Sequence, residues 1–153
     1  MSFERIIKPA FTVIGQEGST ADGPGFIPRL WETANARFGE VAALAKKTPD
    51  GSLAGVWGAM SDLSRSFQPW EEGFTKGLYL AGVECGDGAE APEGWVKWVI
   101  PGFEYVKVSG EENAFPAGLG YLQAQGFTLA GAVHDFTDPA TGENAMFFPI
   151  RRL

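Results

Sequence analysis

Apolar positions recur every three or four residues in the stretch 26–47 and mark one side of a helix. These positions are Ile27, Leu30, Trp31, Ala34, Phe38, Val41, Ala42 and Ala45. This spacing, kept over about five turns, predicts an amphipathic helix across the whole stretch. Pro28 suits the first turn of such a helix, and Lys46 and Lys47 suit the negative end of its dipole.

Apolar runs rich in β-branched and aromatic residues predict strands on either side of this helix. The strand candidates are 5–18, 53–62, 75–85, 95–110, 127–138 and 143–153, the fourth with an interruption at Pro101 and Gly102. A weaker helical pattern covers 111–126, where Gly126 is the expected C-cap. The residues PATG at 139–142 predict a hairpin between the last two strands.

The predicted elements follow the order strand, helix, strand, strand twice along the chain. KPAFTVI at 8–14 resembles IPGFEYV at 100–106, and GAMSD at 58–62 resembles GAVHD at 131–135. We therefore predict an α+β domain built as a pseudo-twofold tandem repeat of two βαββ units, about 1–88 and 89–153. An antiparallel sheet with the helices on one face would leave a central cleft at the junction, and this cleft is the expected ligand site.

Composition then limits the classes of function. The 153 residues are 44% hydrophobic and 20% charged, which predicts one globular domain rather than a disordered chain. A net charge of −7, with no long basic run, predicts no direct contact with nucleic acid. No apolar run is long enough to span a bilayer, and the first residues lack a signal-peptide pattern. With a single cysteine as well, we expect a cytoplasmic protein without membrane contact.

Aromatic residues are frequent, with 12 Phe, 5 Trp and 3 Tyr, which predicts a lined cavity in addition to a core. Trp57 and Trp98 are the preferred wall residues, and Tyr105 adds a phenolic hydrogen-bond donor. Trp31 and Phe38 lie on the apolar side of the predicted helix, where core packing is the more common role.

Glu84 ends the apolar run GLYLAGVE at 77–84. In a groove walled by aromatic rings, a carboxylate loses hydration and attracts a cation, or it positions a water molecule as a general base. The alternative is a solvated strand end before the glycine-rich turn that follows. Because side chains alternate along a strand, Tyr79 shares the face of Glu84 only if Gly82 forms a bulge.

No pattern of histidine, cysteine and carboxylate residues has metal-ligand spacing, and no glycine pattern forms a phosphate cradle. We therefore expect no metal and no cofactor. Cys85 and His134 make a formally possible nucleophile pair. The more common situation is a small buried thiol and a surface histidine next to Asp135.

Four segments resemble the GyrI-like small-molecule-binding family, which is related to the effector-binding domains of bacterial multidrug-responsive regulators. They are YLAGVE at 79–84, PEG at 92–94, KWVIPGFEYV at 97–106 and FFPI at 147–150. WGAMSD at 57–62 and FQPW at 67–70 are similar to a stand-alone branch of the family. The resemblance implies two βαββ units around an aromatic-lined cleft, in which Glu84 faces lipophilic, often cationic compounds.

The resemblance implies one of two functions. The first is the binding of amphipathic aromatic small molecules (xenobiotics), for sequestration or sensing, by Glu84, Trp57, Trp98, Tyr79, Tyr105, Phe38 and Trp31. The alternative is a hydrolase that opens the cyclopropane ring of DNA-alkylating natural products, with Glu84 and Tyr105 as its catalytic residues. The two repeats leave no room for a DNA-binding helix-turn-helix. A protein partner would then be a second copy of the chain, forming a homodimer, or a separate regulator chain.

Overall fold

The computed structural model describes residues 1–110 and 113–153, which form eight strands and three helices. The strands are β1 (Ser2–Lys8), β2 (Phe11–Ser19), β3 (Val56–Ser61), β4 (Leu78–Cys85), β5 (Val96–Ile100), β6 (Phe103–Ser109), β7 (His134–Thr137) and β8 (Asn144–Arg152). The helices are α1 (Phe26–Ala36), α2 (Glu71–Phe74) and α3 (Ala114–Gln125). Short 3-10 turns cover Thr20–Asp22, Phe38–Glu40 and Ala42–Leu44.

The strands belong to one antiparallel sheet in the order β1-β6-β8-β7-β3-β4-β2-β5. The predicted α+β fold with an antiparallel sheet is therefore confirmed. β3 and β7 meet in the middle of the sheet, with β4 and β2 outward on one side and β8 and β6 outward on the other. Two βαββ units would give the six central strands of this order, with β1 and β5 as additional edge strands, while the duplication itself stays a prediction.

Two of the predicted strands are each divided at a proline. The stretch 5–18 is split at Pro9 into β1 and β2, and the stretch 95–110 is split at Pro101 into β5 and β6. Proline has no N–H group to donate to a neighbouring strand, so it interrupts the pairing. The residue pattern predicted the second break but not the first, which sends β1 to the opposite edge of the sheet from β2 and β5.

The first helix is shorter than its apolar pattern predicts. α1 ends at Ala36 and two 3-10 turns follow it, so the prediction of a helix over 26–47 is wrong beyond Ala36. Arg37 leaves helical geometry with φ −110° and ψ 14°, and Gly39 is a poor helix former. Val41 is nevertheless fully buried. The periodic burial of apolar residues therefore continues without a continuous helix.

The C-terminal elements follow their prediction more closely. α3 ends at Gln125, and Gly126 caps it in the left-handed conformation (φ 77°), which glycine adopts without steric cost. β7 and β8 pair as the expected hairpin, whose turn is closed by a hydrogen bond of 2.7 Å from the Gly142 N–H to the Asp138 carbonyl oxygen. β7 begins only at His134, however, so it is shorter than the predicted strand.

Both longer helices cover the same face of the sheet. α1 packs on β2 and β4, and α3 packs on β6 and β8. Ala81 belongs to the apolar cluster under α1, and Val108 belongs to the cluster under α3. One row of residues paired across the sheet connects them, formed by Gly58, Asp135 and Met146. Paired residues point to the same face of a sheet. This helix face is therefore one surface, and the helices leave a gap over β3 and β7.

The opposite face of the sheet carries a second, aromatic core. Its largest members are Phe11, Trp57, Trp98, Phe103, Tyr105 and Phe147. Rings pack edge to face here, for example Trp57 against Phe147 with centroids 4.9 Å apart, an arrangement that aromatic quadrupoles favour. None of the helices in 1–110 and 113–153 is long and apolar enough to cross a membrane.

Candidate ligand-binding cleft

A cavity of about 410 Å³ lies on the helix face, in the gap that α1 and α3 leave over β3 and β7. We call it the central cleft. Strands β3, β4, β7 and β8 supply its floor, and α1 supplies one wall through Trp31. Its lining includes Trp31, Val56, Gly58, Tyr79, Asp135 and Met146. The cleft thus lies at the junction of the two predicted repeats, where the sequence placed a ligand site.

Gly58 lets an aromatic ring lie on the floor of the central cleft. It pairs with Ala81 on β4 and with Asp135 on β7. A Cβ atom at this position would collide with the hydroxyl group and ring of Tyr79, which occupies that space. The Tyr79 ring therefore lies over the β3 backbone, and its hydroxyl group lies against Gly58 in the lining of the cleft.

Three side chains form the polar centre of the cleft. The Trp31 indole N–H donates a hydrogen bond of 3.0 Å to the Tyr79 hydroxyl oxygen, and the two rings meet edge to face with centroids 6.4 Å apart. The Asp135 carboxylate lies beside this pair. Burial raises the pKa of Asp135 to about 6, and the nearby Tyr79 hydroxyl opposes this shift. Burial and the charge of Asp135 raise the pKa of Tyr79 well above its ordinary value.

Asp135 lacks a basic partner among the described residues. The ion pairs found in 1–110 and 113–153 leave it out, and the polar group that affects its pKa is the neutral phenol of Tyr79. A carboxylate that is partly removed from water gains free energy from an opposite charge. The charge of this carboxylate is therefore not balanced by an ion pair within the described residues.

Two apolar side pockets adjoin the central cleft. The α1 side pocket, of about 200 Å³, shares Trp31 and Val56 with the cleft and extends to Phe38 and Trp95. The α2 side pocket, of about 220 Å³, shares Asp135 and Met146 with the cleft. Its remaining walls are Met60, Pro69, Trp70, Phe74, Phe115 and Val133. The three spaces form one series along the helix face, with Asp135 between the central cleft and the α2 side pocket.

The structure brings three of the predicted ligand residues to these spaces. Trp31 and Tyr79 line the central cleft, and Phe38 lines the α1 side pocket together with Trp31. The pairing register of β4 with both β2 and β3 runs through Gly82 without a shift, so Gly82 does not bulge. Tyr79 and Glu84 therefore point to opposite faces, as strand alternation requires.

Glu84 lies on the face opposite the cleft and is only 3% exposed. It accepts hydrogen bonds from the Trp57 indole N–H at 3.0 Å and from the Lys8 ammonium group at 3.2 Å. The Lys8 nitrogen in turn lies 4.4 Å from the centroid of the Phe11 ring and 5.7 Å from that of Trp57. The expected combination of carboxylate, aromatic rings and cation is therefore present at Glu84, but the cation is a lysine of the same chain.

The other predicted wall residues also lie on the face opposite the cleft. Trp57 and Tyr105 are almost fully buried in the aromatic core, and the Trp98 indole N–H donates to Glu17 at 2.8 Å. The Tyr105 hydroxyl is buried without a hydrogen-bond partner among the described residues, and burial raises its pKa. Trp57, Trp98 and Tyr105 thus belong to the aromatic core and border none of the three spaces on the helix face.

His134 is buried, so the expectation of a surface histidine is wrong. Its Nδ1 atom accepts a hydrogen bond of 3.0 Å from the Met60 backbone N–H, and burial lowers the pKa of His134 to about 3. Cys85 belongs to the core of the helix face, whereas His134 packs against Trp57 on the other face, so the two do not form a nucleophile pair. The residues 1–110 and 113–153 contain no cluster of potential metal ligands.

Sequence reasoning gave Asp135 no role in a site and treated it as the end of the motif GAVHD and the neighbour of His134. A signal was present, because Asp135 sits between two aromatic or apolar strand positions and must therefore face away from Phe136. Which face becomes a cleft depends on where α1 and α3 pack, and that is not a local property of the sequence.

Three solved structures illustrate the likeness of this architecture to known proteins. EcmrR in a complex with DNA has a TM-score of 0.64 and 13% identity, over 99% of this chain and 58% of that one. SAV2435 bound to tetraphenylphosphonium has a TM-score of 0.62 and 15% identity, over 99% of this chain and 94% of that one. The integron cassette protein VCH_CASS2 of Vibrio cholerae has a TM-score of 0.53 and 20% identity, over 99% of this chain and 97% of that one.

The chain has the GyrI-like fold. The isolated C-terminal domain of EcmrR supports this, since it matches over the full length of both chains with a TM-score of 0.62 and 14% identity. At these identities the likeness establishes the GyrI-like fold and not a shared ligand. The chain spans 58% of the EcmrR chain, so the activity of that whole regulator is not transferred to it. No protein-family model and no curated protein matches the sequence.

Proposed function

We propose that this GyrI-like chain binds lipophilic monocations with aromatic groups in the central cleft. The observation that carries the proposal is the Asp135 carboxylate, which is half-buried, lines the cleft and has no basic partner in the described part of the chain. In the complex, the cation would neutralise this charge, and the rings of Trp31 and Tyr79 would contact the aromatic groups of the ligand.

The energetics favour a delocalised cation over a small hydrated one. A lipophilic cation loses little hydration when it leaves water, so its attraction to Asp135 is not offset by a large desolvation cost. Each ring face that it reaches adds about 0.5–2 kcal/mol of cation–π attraction. The cavity of about 410 Å³ falls within the usual range of small-molecule sites.

The comparison with SAV2435 supports this ligand class. That protein was solved with tetraphenylphosphonium, a monocation with four phenyl groups, on the same fold. Sequestration or sensing of such compounds fits a chain of this kind. Sensing would in addition require a second protein that responds to the bound state.

The proposal assigns to Asp135 the role that the sequence assigned to Glu84. Both oxygens of Glu84 are already engaged, one by Trp57 and one by Lys8, and the side chain borders none of the three spaces on the helix face. No observation favours the hydrolase alternative, which relied on Glu84 and Tyr105 beside a ligand. That alternative stays a prediction.

Titration with tetraphenylphosphonium, followed by tryptophan fluorescence at pH 7.5, tests the proposal. Trp31 lines the central cleft, so binding should change its emission. Removing the charge with Asp135→Asn should weaken binding about tenfold or more, which corresponds to about 1.4 kcal/mol or more. Tetraphenylborate has the same shape and a negative charge, and it should bind neither protein.

Asp87→Asn is the matched control, because Asp87 is an exposed aspartate in a turn away from the cleft. It makes the same change in net charge and should leave the affinity unchanged. Equal weakening by both variants would indicate only a general charge effect. Unchanged affinity in Asp135→Asn would contradict the proposal.

A further inference from the structure

Asp135 lies on the boundary between two spaces, and this position restricts the shape of the ligand. Together with Met146 it lines both the central cleft, of about 410 Å³, and the α2 side pocket, of about 220 Å³. A charge that approaches this carboxylate therefore has open space on two sides. A cation at one end of a long ligand would fill only one of them.

The α2 side pocket is apolar apart from Asp135. The rings of Phe74 and Phe115 meet edge to face in its wall, with centroids 5.1 Å apart. The indole N–H of Trp70, a second polar group in the lining, already donates a hydrogen bond of 2.9 Å to the Leu78 carbonyl oxygen. The pocket therefore offers one carboxylate at its inner end and otherwise only hydrophobic contacts.

The size of the α2 side pocket suits one aromatic ring. In other proteins, an apolar cavity of roughly 150 Å³ holds a benzene molecule. A pocket of about 220 Å³ therefore accommodates a phenyl group with its linking carbon. Burying that ring removes apolar surface from water, which contributes roughly 25 cal/mol per Å².

The backbone that forms the outer wall is held in a strained conformation. Arg65, Phe67, Glu72 and Phe74 have φ angles between 50° and 67°, a region that side chains other than glycine rarely adopt. The segment is fixed by Asp62, whose carboxylate accepts hydrogen bonds from the backbone N–H groups of Ser66 and Gln68. Such strain persists only where the surroundings enforce it. The position of Phe74 against Phe115 is thus imposed on the chain.

We propose that the α2 side pocket is a second ligand subsite, and that the chain selects cations whose charge lies between two aromatic groups. One group occupies the central cleft against Trp31 and Tyr79, and the other occupies the α2 side pocket against Phe74 and Phe115. The positive centre then lies at Asp135. This inference rests on the proposed function, because it takes Asp135 as the partner of a bound cation.

Two isomeric cations test the inference. Dibenzyldimethylammonium carries one ring on each side of its nitrogen, whereas (4-phenylbenzyl)trimethylammonium carries both rings on one side. The two have the same atoms and the same charge, so a difference in affinity does not come from molecular mass or net charge. Isothermal titration calorimetry with the full chain should show about tenfold tighter binding of the dibenzyl isomer, since only that isomer buries a ring in each space.

Phe74→Ala tests the subsite itself. Phe74 is 37% exposed, so its truncation spares the core. The variant should reduce the preference for the dibenzyl isomer at least about threefold. Phe3→Ala is the control, since Phe3 is 38% exposed and borders none of the three spaces. If circular dichroism shows that Phe74→Ala is unfolded, Phe115→Ala replaces it. The comparison of the two isomers on the unmodified chain does not depend on either variant.

The outcomes separate this inference from the proposed function. If both isomers bind equally and Asp135→Asn weakens both, the proposed function holds and the second subsite is refuted. If neither isomer binds, the proposed function fails together with the inference. Preference for the dibenzyl isomer that persists unchanged in Phe74→Ala would likewise overturn the assignment of the second ring to the α2 side pocket.

Discussion

At the scale of single residues, the buried Glu84 and the half-buried Asp135 differ in what surrounds them. Glu84 has an internal ammonium partner and an indole donor, so its charge is balanced within the chain. Asp135 has no ion-pair partner among the described residues, it lies near the Tyr79 phenol, and burial raises its pKa to about 6. A carboxylate that is difficult to ionise and borders a cavity is the more promising ligand group.

Cation affinity should therefore depend on pH through Asp135. Only the ionised carboxylate attracts the ligand, and with a pKa of about 6 it becomes protonated as the pH falls. We expect tetraphenylphosphonium to bind about tenfold more weakly at pH 5 than at pH 7.5, and Asp135→Asn to show no such dependence. His134 does not interfere, because its pKa of about 3 keeps it neutral over this range. A flat profile for the unmodified chain would contradict the role of Asp135.

The same shift predicts a cost in stability for the ligand-free chain. The pKa of Asp135 is raised on folding, so the folded state holds its proton more tightly than the unfolded state, and stability falls as the pH rises from about 4 to about 6. Asp135→Asn should therefore melt at a higher temperature than the unmodified chain at pH 7.5. The carboxylate that we propose binds the ligand is thus expected to lower the stability of the ligand-free chain.

The strand alternation predicted for Tyr79 and Glu84 is present in the structure, whereas the face of Glu84 relative to the central cleft was not predicted. Alternation is local and follows from strand geometry alone. The side of the sheet on which α1 and α3 pack is decided by long-range contacts, and so is the position of Lys8 beside Glu84. Trp57 and Trp98 were assigned to the cleft for the same reason, since their face was not known from the sequence.

At the scale of elements, the Lys8–Glu84 ion pair links the end of β1 to the end of β4. These strands lie far apart in the sheet order, yet the break at Pro9 brings Lys8 back over Phe11 and toward Glu84. The pair therefore holds β1 in place across the break. Neither the break nor the pair was predicted, because the stretch 5–18 has the composition of one uninterrupted strand.

Lys8→Met should destabilise the chain by about 2–4 kcal/mol, because it leaves the buried Glu84 carboxylate without its positive partner. Glu84→Gln should cost less, since its amide oxygen still accepts from Trp57 and Lys8 can reach water. The double variant should recover part of the loss. Urea unfolding at pH 7 measures all three values.

Lys97→Met is the matched control for this prediction. The Lys97 side chain is as exposed as that of Lys8, at 24%, but its partner Glu90 is 83% exposed. Losing such a surface pair should change the free energy of unfolding by about 1 kcal/mol or less. If Lys97→Met and Lys8→Met cost the same, burial of the partner is not the cause.

At the scale of the whole molecule, the two predicted repeats are joined by more than their junction. β1 belongs to the stretch 1–88 but pairs with β6, while β5 belongs to 89–153 but pairs with β2. β3 and β7 add a third pairing between the halves. Each half therefore depends on strands of the other for part of its sheet, which is the behaviour of one cooperative domain.

Neither half should fold alone for this reason. The fragment 1–88 would expose the edges of β2 and β3 and leave β1 without a partner, and the aromatic core would lose Tyr105 and Phe147. We expect each fragment to lack a near-ultraviolet circular dichroism signal, and an equimolar mixture to regain both that signal and tetraphenylphosphonium binding. Each fragment at doubled concentration is the control. A cooperative thermal transition of 1–88 by itself would mean that the repeats are independent folding units. The pairing of β1 with β6 and of β5 with β2 would then not be required for a half to fold.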